Sequence, residues 1–138
     1  MSQRQPEELI EMARQVRLYA HAPYSDFAVG AVVESRDGRL FTGCNVENAS
    51  LGLTLCAERA AIAAAVATEG PAMRIVEIAV CCLQAEFSPC GACRQWIAEF
   101  AAPQCQVHFR QEGRWVSMPA AALLPSGFGP HSMRNLAG

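Results

Sequence analysis

Apolar and polar positions along the chain change period several times, and each change marks an element. Pro6, Glu7 and Glu8 suit the first turn of a helix, where a missing N–H costs nothing and acids face the positive end. Leu9, Met12, Val16 and Tyr19 then recur at helical spacing and predict one buried stripe, closed by Pro23. Phe27 to Glu34 reads as a strand, Arg36-Asp37-Gly38-Arg39 as a turn, and Leu40 to Val46 as the returning strand. Asn48 to Thr54 reads as a loop.

An alanine-rich helix from about Cys56 to Thr68 follows, ended by Gly70-Pro71. It has few charges, which predicts burial on more than one side. Arg74 to Leu83 has the apolar character of a buried strand. Ser88 is placed to cap a second helix running from Pro89 to about Phe100. Gln104 to Arg110 and Arg114 to Met118 read as strands, Pro119 to Leu124 as a last helical segment, and the tail from Pro125 as irregular. Strands alternating with helices predict an α/β fold: a three-layer α/β/α sandwich around a five-stranded mixed sheet. No repeat or linker interrupts it, so residues 1–138 read as one domain.

Composition narrows the function. Only 17% of the 138 residues are charged against 51% hydrophobic, which agrees with apolar surface kept for a subunit interface. The net charge of −2 and the lack of a basic run disfavour nucleic acid as a partner. No apolar run reaches membrane-helix length, so no membrane partner is expected. The opening MSQRQPEELIEM lacks the apolar core of a secretory leader, and seven cysteines is an odd number. Both point to a cytoplasmic protein with reduced thiols or a metal rather than a disulfide scaffold.

The chemistry concentrates in two short segments, Cys56-Ala57-Glu58 and Pro89-Cys90-Gly91-Ala92-Cys93. Cys90 and Cys93 lie about one turn apart at a helix start, where one face presents both and the helix end favours thiolate. Cys56 is the natural third ligand of a zinc ion, leaving a fourth position for water. CxxC alone would equally fit a redox pair, or a closed structural site completed by Cys44, Cys81, Cys82 or Cys105. Those four sit in apolar strand patterns and read instead as buried and inert. Glu58 tips the balance toward catalysis, because a carboxylate beside the metal can move protons to and from water. Arg59 follows it and can offset the excess negative charge of three thiolates around zinc. Arg94 fits either the zinc surroundings or a subunit contact. His21, His108 and His131 lack the spacing of a ligand set.

Five ordered blocks carry a resemblance that spans nearly the entire chain: AHAPYSDFAVGA at 20–31, GCNVENAS at 43–50, CAERAAI at 56–62, SPCGACRQ at 88–95 and LLPSGFGP at 123–130. They resemble the small, homotetrameric, zinc-dependent cytidine deaminases. The resemblance implies hydrolysis of cytidine and 2'-deoxycytidine to uridine and 2'-deoxyuridine with release of ammonia, in pyrimidine salvage. It implies one Zn2+ per subunit on Cys56, Cys90 and Cys93, with zinc-bound hydroxide as nucleophile and Glu58 as proton shuttle. Phe27 is implied beside the base, Asn45 and Glu47 at the ribose hydroxyls, and the Ala57 backbone at the base. Asn45 and Glu47 also alternate onto one face at a strand end, and an amide with a carboxylate suits a diol. Phe128 resembles an aromatic that reaches a neighbour's pocket. Leu51 departs from the aromatic often found at its place, keeping apolar volume but losing ring stacking. The alternatives are a deaminase of another cytosine nucleoside or antibiotic, and a non-catalytic zinc module for assembly.

Overall fold

A hairpin at one edge of the sheet sets the direction of everything that follows. The computed structural model describes residues 4–133. Val29–Ser35 forms β1 and Leu40–Cys44 forms β2, antiparallel, with Gly38 at φ +86° in the turn between them. Strand β3, Ile75–Cys82, lies antiparallel to β1 on its other side; β4, Ala101–Gln111, runs parallel to β3, and β5, Arg114–Pro119, closes the sheet antiparallel to β4. The order is therefore β2-β1-β3-β4-β5, a five-stranded mixed sheet as expected.

Both faces are covered. Helix α1, Pro6–Val16, packs Leu9, Ile10 and Ala13 against Val32, Ala79 and Cys81. The opposite face places Val29, Ala31, Val33, Ile78 and Val80 against Ala57, Ala61 and Ile62 of helix α2, Ala57–Glu69, and Ile97 of helix α3, Gly91–Phe100. Alternate residues of β1 thus feed two different cores. Two glycines let the helices approach this closely. A Cβ on Gly30 would lie 2.0 Å from the Ala13 carbonyl oxygen, and one on Gly43 would lie 2.4 Å from that of Ala57. On the α1 side, His108 ties three strands together, 2.7 Å from the Glu77 carboxylate and 2.7 Å from the Ser117 hydroxyl. Among the described residues, no helix is long and apolar enough to cross a membrane.

Several sequence expectations need correction. Tyr19 is 82% exposed, not buried: α1 ends at Val16 and tightens into a 3-10 turn, Arg17–Tyr19, which carries Tyr19 off the stripe. Strand β1 begins at Val29, because the Asn45 side chain takes the Phe27 carbonyl and the Val29 N–H and holds Phe27 in the preceding loop. Val46 makes only isolated bridges, so β2 stops short of it. Cys90, not Ser88, caps α3, and the Ser88 hydroxyl instead accepts from Arg94 at 3.2 Å. Strand β4 starts three residues early, directly from α3. The tail is irregular over 125–129 as expected but forms a helical turn, α4, at Pro130–Met133; residues 134–138 lie outside the described residues. Helix α2 buries one face only, leaving Ala63, Ala64 and Ala67 exposed. Cys44 is half-buried, while Cys81, Cys82 and Cys105 are buried as expected.

Candidate metal and nucleoside site

Strands β2 and β3 are both antiparallel to β1, so they are parallel to each other. Helix α2 follows β2 and helix α3 follows β3 in the chain. Their N-termini therefore meet at one end of the sheet, and each is capped by a cysteine with extended backbone, Cys56 and Cys90. Cys93 is the third residue of α3. The sulfur atoms of Cys56, Cys90 and Cys93 all lie within 4.8 Å of one another, grading from exposed at Cys90 to fully buried at Cys93.

The electrostatics favour a cation. The Cys56 thiol is drawn down to about 5, chiefly by a hydrogen bond from Cys93, with the Arg59 guanidinium adding donation and charge. Cys93 moves up for the reciprocal reason, since it donates to Cys56 and is buried. Arg59 Nη2 donates to the Cys56 sulfur at 3.2 Å and to the Thr54 carbonyl at 3.4 Å. Three sulfurs at two positive helix ends suit a thiolate-bound zinc.

Glu58 lies in the first turn of α2 and is completely buried. Among the described residues, neither carboxylate oxygen meets hydrogen-bond geometry with a partner. Burial raises the Glu58 pKa to about 7; its own backbone N–H pulls the other way, the Cys56 charge pushes it further up, and the Cys93 thiol lies close enough to pull it down slightly. An orphaned buried carboxylate is costly unless a ligand completes it. Its place beside three sulfurs fits a metal and a water. The residues present therefore fit zinc.

The expected nucleoside contacts lie along the loop before β1 and the segment after β2. Phe27 is 45% exposed. Asn45 is buried, with Oδ1 accepting from Val29 N–H at 2.8 Å and Nδ2 donating to the Phe27 carbonyl at 2.8 Å. One amide hydrogen and one lone pair of Asn45 remain for another partner. Glu47 Oε1 accepts from the N–H groups of Tyr24 at 3.0 Å and Ser25 at 3.2 Å, and Oε2 accepts from the Ser25 hydroxyl. These bonds, with that of Ser25 the largest, hold the Glu47 carboxyl below its usual range. Ala57 is buried in the first turn of α2, where backbone N–H groups lack helical acceptors.

Leu51 and Phe128 present most of their side chains to solvent in the single chain, at 70% and 63% exposure. Arg94 is committed within its own chain, to the Pro89 carbonyl at 2.7 Å, the Leu123 carbonyl at 3.1 Å and Ser88. Ser25 is the participant that sequence reasoning missed. Within PYSDF it has the signature of an ordinary turn residue, and its partner lies 22 positions away.

Comparison with known proteins places the chain among zinc-binding relatives. Residues 3–109 match the family model for the cytidine and deoxycytidylate deaminase zinc-binding region. A probable cytidine deaminase of Dictyostelium discoideum is 43% identical over 100 residues, covering 72% of this chain and 68% of that protein. The cytidine deaminase of Halalkalibacterium halodurans is 38% identical over 128 residues, covering 92% and 96%. The crystal structure of cytidine deaminase from Burkholderia pseudomallei superimposes with a TM-score of 0.82 at 42% identity, over 91% of this chain and 100% of that one.

Proposed function

The chain belongs to the cytidine and deoxycytidylate deaminase zinc-binding family, and from that premise we propose that it hydrolyses cytidine and 2'-deoxycytidine to uridine and 2'-deoxyuridine, releasing ammonia. The observation that carries this reading is the fully buried, unpartnered Glu58 carboxylate beside three converging cysteine sulfurs.

In this reading Cys56, Cys90 and Cys93 hold zinc. When bound, zinc supplies Lewis acidity that makes water a nucleophile near neutral pH. Glu58 removes a proton from the attacking water and delivers it to N3 of the cytosine ring, which makes C4 electrophilic. It then carries the second proton to the exocyclic amine as the C4–N bond breaks. Water's oxygen becomes the new carbonyl and the amine leaves as ammonia, the division of labour general to zinc deaminases. A carboxyl raised to about 7 can both take and give protons at neutral pH. Arg59 offsets the charge of the Cys56 thiolate. Phe27 lies beside the base, the Ala57 backbone hydrogen-bonds it, and Asn45 with Glu47 receives the sugar. Oε2 of Glu47, with one donor already, has room for one hydroxyl.

The whole of 1–138 acts as a single catalytic domain, and four chains assemble with one zinc each. Supporting the assembly is a mainly apolar groove of about 610 Å³ between α2 and α3, where Val66, Ala67, Trp96 and Phe100 lie with Gln95 and Glu99. Leu51 and Phe128 are free to enter a neighbour's pocket. Seven unpaired cysteines suit a reducing cytoplasm, where the reaction recovers pyrimidines.

The test is ammonia release from cytidine, 2'-deoxycytidine and a cytosine-containing polynucleotide, alongside zinc content. We expect release from the two nucleosides by protein carrying one zinc per chain. Zinc-loaded protein that releases none from any nucleoside overturns the proposal.

A further inference from the structure

The loop from Pro23 to Phe27 lies outside every strand, yet it is fixed at both of its chemically useful points. Asp26 sits at φ +64°, a left-handed conformation that aspartate tolerates, and its N–H donates to the Ala22 carbonyl at 3.0 Å. The Phe27 carbonyl is taken by Asn45 at 2.8 Å. The Phe27 N–H is taken by the Ser25 hydroxyl oxygen at 3.0 Å, and the same hydroxyl donates to Glu47 Oε2. A single hydroxyl therefore touches both the backbone under Phe27 and the carboxylate of Glu47.

We propose that Ser25 is a positioning residue for the substrate sugar: its hydroxyl fixes the Glu47 carboxylate so that the remaining face of Oε2 receives one ribose hydroxyl. The proposal rests on the nucleoside reading of Glu47 given above. Its direction is set by chemistry. An N–H can only donate and an ionised carboxylate can only accept, so the Ser25 proton points to Glu47 and its lone pair to Phe27. Glu47 Oε1 is filled by the Tyr24 and Ser25 N–H groups. Two donors on one oxygen and one on the other lock the rotation of the carboxylate before any substrate arrives.

Without the Ser25 hydroxyl, Oε2 loses that donor and the carboxylate is held through Oε1 alone, by the Tyr24 and Ser25 N–H groups. The Phe27 N–H loses its acceptor in the same step. The loss at Glu47 falls on substrates that offer a sugar hydroxyl, whereas the loss at Phe27, beside the base, falls on every nucleoside alike. That distinction separates positioning of Glu47 from a general role of Ser25 in holding the loop.

The experiment compares wild type, Ser25→Ala, Ser25→Thr and Ser25→Cys, zinc-loaded, on cytidine and on 2',3'-dideoxycytidine. Circular dichroism and zinc content check that each variant is folded and loaded. Ser25→Ala is expected to lower kcat/KM on cytidine by roughly tenfold or more, mainly through KM, as for a lost hydrogen bond to a charged group. On dideoxycytidine it changes kcat/KM by no more than about twofold. Ser25→Thr keeps a hydroxyl and restores much of the cytidine value. Ser25→Cys, similar in shape but a weak donor, shows the same loss on cytidine and carries the test if Ser25→Ala fails to fold. An equal loss on both substrates, or no loss on cytidine, overturns the role of Ser25 while leaving the deaminase reading intact. Wild type that ignores cytidine, or uses both nucleosides equally well, overturns the sugar reading of Glu47 and this proposal with it.

Discussion

The Arg59 guanidinium donates to the sulfur of Cys56 from 3.2 Å, one helical turn beyond the cysteine that caps the same helix. This bond and the associated charge help bring the Cys56 thiol down to about 5. Replacing Arg59 with glutamine removes both. The Cys56 thiol then rises toward its ordinary value, and alkylation of the metal-free protein near pH 6 slows. Activity at matched zinc content should fall by about 10- to 100-fold, typical for loss of a residue that tunes a metal ligand. Unchanged alkylation rates and activity would remove Arg59 from the site.

Glu58→Gln keeps the shape of the side chain but cannot cycle a proton. We expect zinc content near wild type and a fall in kcat of about 100- to 10,000-fold on cytidine. Zinc-loaded Glu58→Gln with near-normal turnover would contradict the proton-shuttle assignment.

The same residue makes a prediction about stability. A carboxyl whose folded pKa is raised from 4.5 to about 7 binds more protons folded than unfolded between those values. Stability of the metal-free protein therefore falls as pH rises through that window, and the cost is complete above about 7. Glu58→Gln escapes it. Metal-free Glu58→Gln should be more stable than metal-free wild type at pH 8, by about 3 kcal/mol at most, and the gap should close toward pH 4.5. Urea denaturation across that range measures it; a gap that widens as pH falls is the contrary result.

Two glycines separate fold from site. Gly43→Ala drives a methyl into the Ala57 carbonyl and the Ala61 nitrogen, at 2.4 and 2.5 Å, so α2 must shift and carry Cys56 and Glu58 with it. Gly30→Ala drives one into α1 instead, on the opposite face. Both should destabilise, by about 1–3 kcal/mol or more. Zinc retention and activity of the surviving folded protein should suffer more from Gly43→Ala. Equal effects on zinc content would show that α2 does not set the ligand geometry.

The exposed apolar face of α2 tests the assembly. Ala67→Glu places a charge in the groove beside Trp96 and Phe100 without touching the cysteines. Sedimentation should show a tetramer for wild type and smaller species for the variant. A wild-type monomer with full activity would dispose of the assembly.

Much of this protein is determined locally and is readable from residues alone. Helical spacing and Pro6 place α1, the Asp37-Gly38 turn places the first hairpin, and the apolar run to Cys82 places β3. Cys90 and Cys93 are legible because two thiols one helical turn apart suit a metal, and Cys56 and Glu58 because a third thiol beside a carboxylate completes that chemistry. Tertiary structure decides the rest. Nothing near Cys56 in sequence brings it to Cys90; the shared antiparallel partner β1 does, by making β2 and β3 parallel and starting both helices at one end of the sheet. Tyr19 points to solvent because the helix tightens after Val16, and α2 bares alanines because alanine patterning does not say which side meets the sheet. Ser25 acquires its partner, Glu47, only when the loop before β1 folds against the segment after β2. Local sequence fixes backbone period and donor chemistry, whereas contacts between distant segments depend on strand direction and packing, which no single stretch encodes.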